Sequence, residues 1–266
     1  MDISIYGSST IDRRKKMAYR ILNCISTHES LNIEEANRLD YGIELQDFVE
    51  PNLTVDEKKR LIAVYSRDLS KLNGAKAIHG PFLDLKPSSP DLLIREASRM
   101  RYSETLDIAS FLNVDYVIFH SQINPYLNLP RLRKLNAKQA AEYWHEVLRL
   151  TKYKGTILLE NIFEETPEML AELLEEISDE RIRVNLDIGH LRLGKSSLDE
   201  WISTLAEWIS YIHVHGNDGK FDIHQAPTDE DIDELLGSLS RNGIKPVLAL
   251  EYTVKDMESE IRRYVK

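Results

Sequence analysis

Six short apolar runs each end on, or next to, a side chain able to hold a divalent cation. AKAIH ends at His79, DYVIFH at His120, TILLEN at Glu160, RIRVNLD at Asp187, YIHVHG at His215 and PVLALE at Glu251. Buried strand ends drawn at random would be mostly apolar or small, so six in succession is a pattern rather than an accident. Mixed imidazole and carboxylate donors suit Zn²⁺, Mn²⁺ or Fe²⁺. Three more donors extend the set. His190 lies three residues beyond Asp187 in LDIGHL, and Asp222 and His224 form a D-x-H pair whose spacing points both side chains one way in an extended segment. They predict a second or third ion site.

Other polar residues read differently. His213 faces the same way as His215 by alternation, but one layer deeper, where a satisfied core histidine is expected. Glu44 in GIELQ faces the barrel mouth or interior, as a minor substrate contact. His28 and His145 fall in helical stretches, as packed or solvated residues.

Residues ordered this way need elements that bring strand ends together. Apolar runs alternate with longer amphipathic stretches along the chain, the pattern of βα units around a buried parallel sheet. Eight strands are predicted: ISIYG (3–7), GIELQ (42–46), AKAIH (75–79), DYVIFH (115–120), TILLEN (156–161), RIRVNLD (181–187), YIHVHG (211–216) and PVLALE (246–251). Residues 55–72, 90–112 and 137–153 carry apolar residues at helical spacing, and VKDMESEIRRYVK closes the chain as a helix. Thr54, Ser89 and Ser197 are placed to start helices, Gly74 and Gly243 to end them. Cys24 sits in the apolar-periodic stretch 17–25 and is read as a small packed side chain. No glycine-rich phosphate loop follows an early strand, which argues against a doubly wound sheet. The expected fold is a single (β/α)₈ TIM barrel over residues 1–266, with its site at the C-terminal ends of the strands.

Composition bounds the partners. The 266 residues are 42% hydrophobic and 29% charged, an ordinary globular balance. A formal charge of −10 disfavours nonspecific binding to phosphate backbones, although Arg131, Arg133, Lys134 and Lys138 form a local basic stretch. The N-terminus lacks a signal-peptide pattern and no run approaches the ~18 apolar residues of a membrane span. A cytoplasmic protein with no membrane partner is expected.

The segments AIHGPF, FHSQ, LLENI, LDIGH, HVHGNDGKFDIH and LALEYT resemble the xylose isomerase-like TIM barrel superfamily, which includes sugar phosphate isomerases and epimerases and endonuclease IV. The resemblance spans about residues 42–255. It implies that Glu160, Asp187, His215 and Glu251 hold one catalytic metal, with His190 near the substrate. By likeness to the trinuclear zinc site of endonuclease IV, His79, His120 and Glu160 hold one ion, Glu160, Asp187, His215 and Glu251 a second, and His190, Asp222 and His224 a third. One to three ions, Zn²⁺ or Mn²⁺, are thus implied.

The motif DIGH and the short loop HGNDGKFDIH depart from endonuclease IV, which has D-T-C-H and a longer loop. They look more like sugar isomerase-like proteins. The implied activity is isomerisation or epimerisation of a small polyol, ketose or sugar phosphate, with Glu160, Glu251 and His190 as catalytic groups. The alternative is a metal-dependent phosphodiesterase acting on abasic DNA. A carbohydrate-like small molecule is the expected partner.

Overall fold

The computed structural model describes residues 19–265. Eight parallel strands close into a barrel in chain order: β1 (Ile21–Ile25), β2 (Gly42–Leu45), β3 (Lys76–His79), β4 (Tyr116–His120), β5 (Thr156–Glu160), β6 (Ile182–Asp187), β7 (Ile209–Val214) and β8 (Val247–Leu250). Between and after them run α1 (Ile33–Leu39), α2 (Val55–Leu69), α3 (Leu92–Leu112), α4 (Pro130–Leu150), α5 (Glu168–Ile177), α6 (Ile188–Leu191), α7 (Leu198–Leu205), α8 (Asp229–Asn242) and α9 (Met257–Arg263). Closure is direct: β1 pairs with β2 on one side and with β8 on the other, Leu22 standing opposite Gly42 and Ala249.

Seven predicted strands lie within a residue or two of their expected bounds. The first does not. β1 is ILNCI, inside the apolar-periodic stretch 17–25 that holds Cys24, and ISIYG (3–7) lies outside the described residues. Cys24 is therefore a strand residue facing the barrel interior. Two helix signals also move. Asp91, not Ser89, caps α3 by accepting from the backbone N–H groups of Leu93 and Ile94. Gly74 is not a helix end: a Cβ there would lie 2.4 Å from the Tyr41 carbonyl oxygen, so close backbone approach requires the glycine. Helix α4 starts at Pro130 rather than near 137, because proline at the first turn loses no helical hydrogen bond. Thr54, Ser197 and Gly243 cap as expected.

Two apolar clusters form the core. The larger packs helices against the outside of the barrel; the smaller fills the lumen with Leu22, Ala75, Ala77, Ile118, Leu158, Tyr211, Val247 and Ala249. Alternation does the rest. Two residues beyond Ala77, Ile118, Leu158 and Ala249 on the same inward face stand His79, His120, Glu160 and Glu251, so the lumen is apolar below and polar at the C-terminal mouth. Among the described residues no helix is long and apolar enough to cross a membrane.

Candidate metal centre

All nine predicted donors gather at this mouth. Glu160, at the end of β5 and 1% exposed, is the hub: His79 Nε2 and His213 Nδ1 each lie 3.4 Å from its Oε2, His190 Nδ1 3.4 Å and His120 Nε2 4.0 Å from its Oε1. Asp187 ends β6 and caps the short helix α6, its Oδ1 accepting from the His190 backbone N–H at 2.7 Å. His215 Nε2 is 3.0 Å from that same oxygen. An antiparallel bridge between Gly216 and Gln225 folds the loop after β7 back over the mouth. Asp222 Oδ2 thereby comes 3.1 Å from both His190 Nε2 and His224 Nε2.

The tautomers follow from what each ring's other nitrogen meets. A carbonyl oxygen can only accept, so an imidazole nitrogen beside one carries the hydrogen. His79 Nδ1–H donates to the Gly80 carbonyl (2.8 Å), His190 Nδ1–H to Asn161 (2.9 Å) and His224 Nδ1–H to Glu251 (3.0 Å). His215 Nδ1 faces the Gly216 carbonyl at 3.4 Å. In its neutral form each ring turns a bare Nε2 toward a carboxylate, an arrangement that repels unless a proton or a cation lies between. Backbone carbonyls fixing Nδ1 while Nε2 ligates is a recurrent design of metal-binding histidines.

Electrostatics agrees. Burial opposes ionisation of Glu160, but His213 and His79 outweigh it and hold its carboxyl well below the usual range. Burial likewise opposes ionisation of Asp187, and His190 and His215 overcome it. Burial would lower His190, yet Asp187 and Asp222 push it up to about 10; Asp222 and Glu251 likewise raise His224 to about 9. His120 is the exception, pushed down to about 3 by burial against Phe82, whose ring stacks on it at 4.1 Å. Its Nε2 is thus a neutral donor.

Two further residues, quoted in the motifs but given no role by spacing, position the donors. Asn161 clips β5 to β6: its Oδ1 accepts from the Asp187 N–H (2.8 Å) and its Nδ2 donates to the Asp187 carbonyl (3.0 Å). Gln46 Nε2 donates to Glu251 Oε1 at 2.7 Å. Glu44 is fully buried, accepting from Tyr211 Oη (2.7 Å) and His213 Nε2 (3.0 Å), so it faces the interior and is no substrate contact. His213 is half satisfied. Its Nε2 meets Glu44 as a core histidine should, but its Nδ1 has no hydrogen-bond partner among the described residues. His28 pairs with Asp68 at 3.0 Å, and His145 Nε2 meets the Ile177 carbonyl at 2.7 Å, both outside the site. Arg133 of the basic stretch pairs with Glu172 at 2.6 Å, while Arg131, Lys134 and Lys138 are outside the site as well.

The residues present fit a cation. The sets His190–His215–Asp222–His224, Asp187–His215–Glu251, Glu160–Asp187–His190 and His79–Glu160–His213 each bring their donor atoms within 4.8 Å of one another. Glu251 Oε2 is a buried carboxylate oxygen with no hydrogen-bond partner among the described residues, which is costly unless a cation satisfies it. A cavity of about 510 Å³ opens beside it, lined by Asn23, Gln46, His224, Tyr252 and Lys255 among others. Such a volume suits a small-molecule ligand.

A closed parallel barrel whose polar side chains all meet at the C-terminal mouth defines a (β/α)₈ barrel with its chemistry at that end. Residues 41–265 match the xylose isomerase-like TIM barrel family, and the chain belongs to it. Two uncharacterized proteins of Methanocaldococcus jannaschii are 24% and 26% identical over 65% and 66% of this chain; the matches span 63% and 66% of those proteins, just under two thirds of their length. Among solved structures, a D-tagatose 3-epimerase-like protein superposes with a TM-score of 0.71 at 21% identity, covering 92% of this chain and 96% of that one. A Thermus thermophilus protein soaked with ZnCl₂ gives 0.71 at 23%, covering 93% and 98%. A family 2 AP endonuclease of Brucella melitensis gives 0.60 at 16%, covering 90% and 94%. At these identities the likeness establishes the fold.

Proposed function

We propose that the protein is a metal-dependent isomerase or epimerase of a small polyol, ketose or sugar phosphate, with Glu160, Asp187, His215 and Glu251 holding the catalytic ion and His79, His120, His190, Asp222 and His224 able to hold one or two more. The observation that carries this reading is the set of four imidazoles that set Nδ1 on a backbone carbonyl and turn Nε2 toward carboxylates, a cluster that needs a cation or, in its place, protons on the rings. A divalent ion bound there polarises a carbonyl and makes the neighbouring C–H acidic.

The chain's own groups then divide the work. Glu160 accepts from Asn185 Nδ2 at Oε2 (2.9 Å), faces the His79, His120, His190 and His213 rings, and is held as a fixed anion. Glu251 borders the cavity with one oxygen fixed by Gln46 and the other without a hydrogen-bond partner among the described residues, the arrangement of a base that takes a proton from carbon and returns it. His190, between Glu160 and Asp222, faces a substrate hydroxyl or carbonyl oxygen. Both Glu160 and Glu251 reach His213 Nδ1, at 3.4 and 3.0 Å.

Metal uptake is the first check. Protein stripped with a chelator and then given Mn²⁺, Zn²⁺ or Mg²⁺ at one hundred times Kd gains about 2.7 kcal/mol, roughly 5–10 °C in Tm for a chain of this size. A Tm unmoved by any of these ions removes the metal from the reading.

The second check is chemical. With a panel of ketoses and their phosphates in heavy water, deuterium should enter the carbon next to the carbonyl for at least one compound. All nine donors in one place also favour the phosphodiesterase reading, so the same preparation is offered abasic DNA. Metal-dependent strand cleavage without exchange on any sugar replaces the isomerase by that alternative.

A further inference from the structure

We infer that His213 is an additional metal ligand, coordinating through Nδ1, and that Glu44 is the buried carboxylate that holds its ring for that purpose. This rests on the metal reading proposed above but goes beyond it, because neither residue belongs to the ligand set that the family resemblance implies.

Glu44 is a carboxylate sealed inside the lumen, opposite Cys24 and Ala77 on the neighbouring strands and with its carboxylate within 4.8 Å of Cys24 Sγ and a His213 ring nitrogen. Burying such a group is costly and needs a reason beyond packing. It accepts from Tyr211 Oη at 2.7 Å and from His213 Nε2 at 3.0 and 3.1 Å. A carboxylate beside Nε2 places a hydrogen there, so Nδ1 is the atom left to meet a metal ion or, without one, a second proton.

That nitrogen, fully buried and without a hydrogen-bond partner among the described residues, points into the densest part of the site. Glu251 Oε2 lies 3.0 Å from it, Glu160 Oε2 3.4 Å and Asp187 Oδ2 3.7 Å. Two donors each about 2.1 Å from one ion stand about 3.0 Å apart at right angles and about 3.4 Å apart in a tetrahedron. The Glu251 and Glu160 separations match those edges. A structural imidazolium would instead donate a hydrogen bond from Nδ1 to Glu251 Oε2, yet both atoms lack a hydrogen-bond partner among the described residues.

His213 is also reversed relative to its neighbours. His79, His190, His215 and His224 each set Nδ1 on a backbone carbonyl and aim Nε2 inward; His213 sets Nε2 on a carboxylate and aims Nδ1 inward. It enters from the lumen side, below the ring of strand-end donors. A carboxylate behind a ligating imidazole raises its basicity and fixes its tautomer.

The reversal gives the test. Full-length protein carrying ¹⁵N-labelled histidine is loaded with ¹¹³Cd²⁺, and coupling from the metal to each ring nitrogen is read by NMR. One ring coupled through Nδ1, beside others coupled through Nε2, is expected, and it should vanish in His213→Asn. Glu44→Gln keeps an acceptor for Nε2–H but removes the charge, and metal affinity by chelator competition should fall about 10–100-fold. Cadmium bound by rings coupled only through Nε2 overturns the inference, whatever the affinities, and leaves the metal reading in place. No bound cadmium at all overturns both.

Discussion

Glu251→Gln is expected to lower proton exchange at the carbon next to the carbonyl by about 10²–10⁴-fold, the range that a positioned general base contributes. The substitution is nearly isosteric and keeps what holds the side chain: the amide oxygen can still accept from Gln46 Nε2, which meets Glu251 Oε1 at 2.7 Å. The new amide nitrogen takes the place of Oε2, 3.0 Å from His213 Nδ1. A large fall in Tm of the stripped variant would mean that an ion pair between Glu251 and a protonated His213 had been lost. Because Glu251 also belongs to the implied ligand set, exchange is compared per metal bound, at saturating Mn²⁺. Exchange unchanged at full metal occupancy would assign the base to another group, with Glu160 the nearest candidate. Glu160→Gln should behave differently: Glu160 faces His79, His120, His190 and His213 together, and its loss should remove metal before it removes chemistry.

Much of this site was legible in the sequence, for a physical reason. Strands of a closed parallel barrel are buried on both faces and read as continuous apolar runs, so a histidine or carboxylate at the end of such a run stands out. Period-two alternation then aims it inward without further information. His79, His120, Glu160, Asp187, His215 and Glu251 were found that way. Alternation also placed His213 inward, but depth along a lumen does not say what faces a ring. Its partner Glu44 lies 169 residues away on β2, across the barrel. Gln46 and Asn161 were hidden for the same reason, since neither amide is a ligand and each acts only through a partner that closure supplies. The first strand was misplaced because ILNCI, with Asn23 and Cys24 in it, lacks the β-branched alternation of ISIYG. Pairing with both Gly42–Leu45 and Val247–Leu250 overrides that local preference.

Gly189→Ala should leave the barrel folded and still cost at least tenfold in metal affinity. Gly189 lies in α6, whose backbone alanine adopts readily, so no conformational penalty opposes the change. The obstacle is the space. A Cβ on Gly189 would lie 1.9 Å from His215 Cε1 and 2.4 Å from both ring nitrogens, distances that no contact tolerates. Helix α6 is held in place, because Asp187 caps it and Asn217 Nδ2 donates to the Gly189 carbonyl at 2.7 Å. The ring must therefore move, and it is fully buried, with His224 stacked on its face at 4.0 Å. Displacing it costs about 1–3 kcal/mol of stability as overpacking, pulls Nε2 away from Asp187 and disturbs His224 as well. Gly237→Ala serves as the control: it lies in α8 with only the end of Arg241 near its Cβ, at 3.4 Å, and should be neutral or slightly stabilising with metal affinity unchanged. Competition against a chelator, with far-ultraviolet circular dichroism to confirm the fold, separates the two. If Gly189→Ala folded and bound metal as tightly as wild type, His215 would not be a ligand, and His213 would be left as the imidazole that β7 contributes.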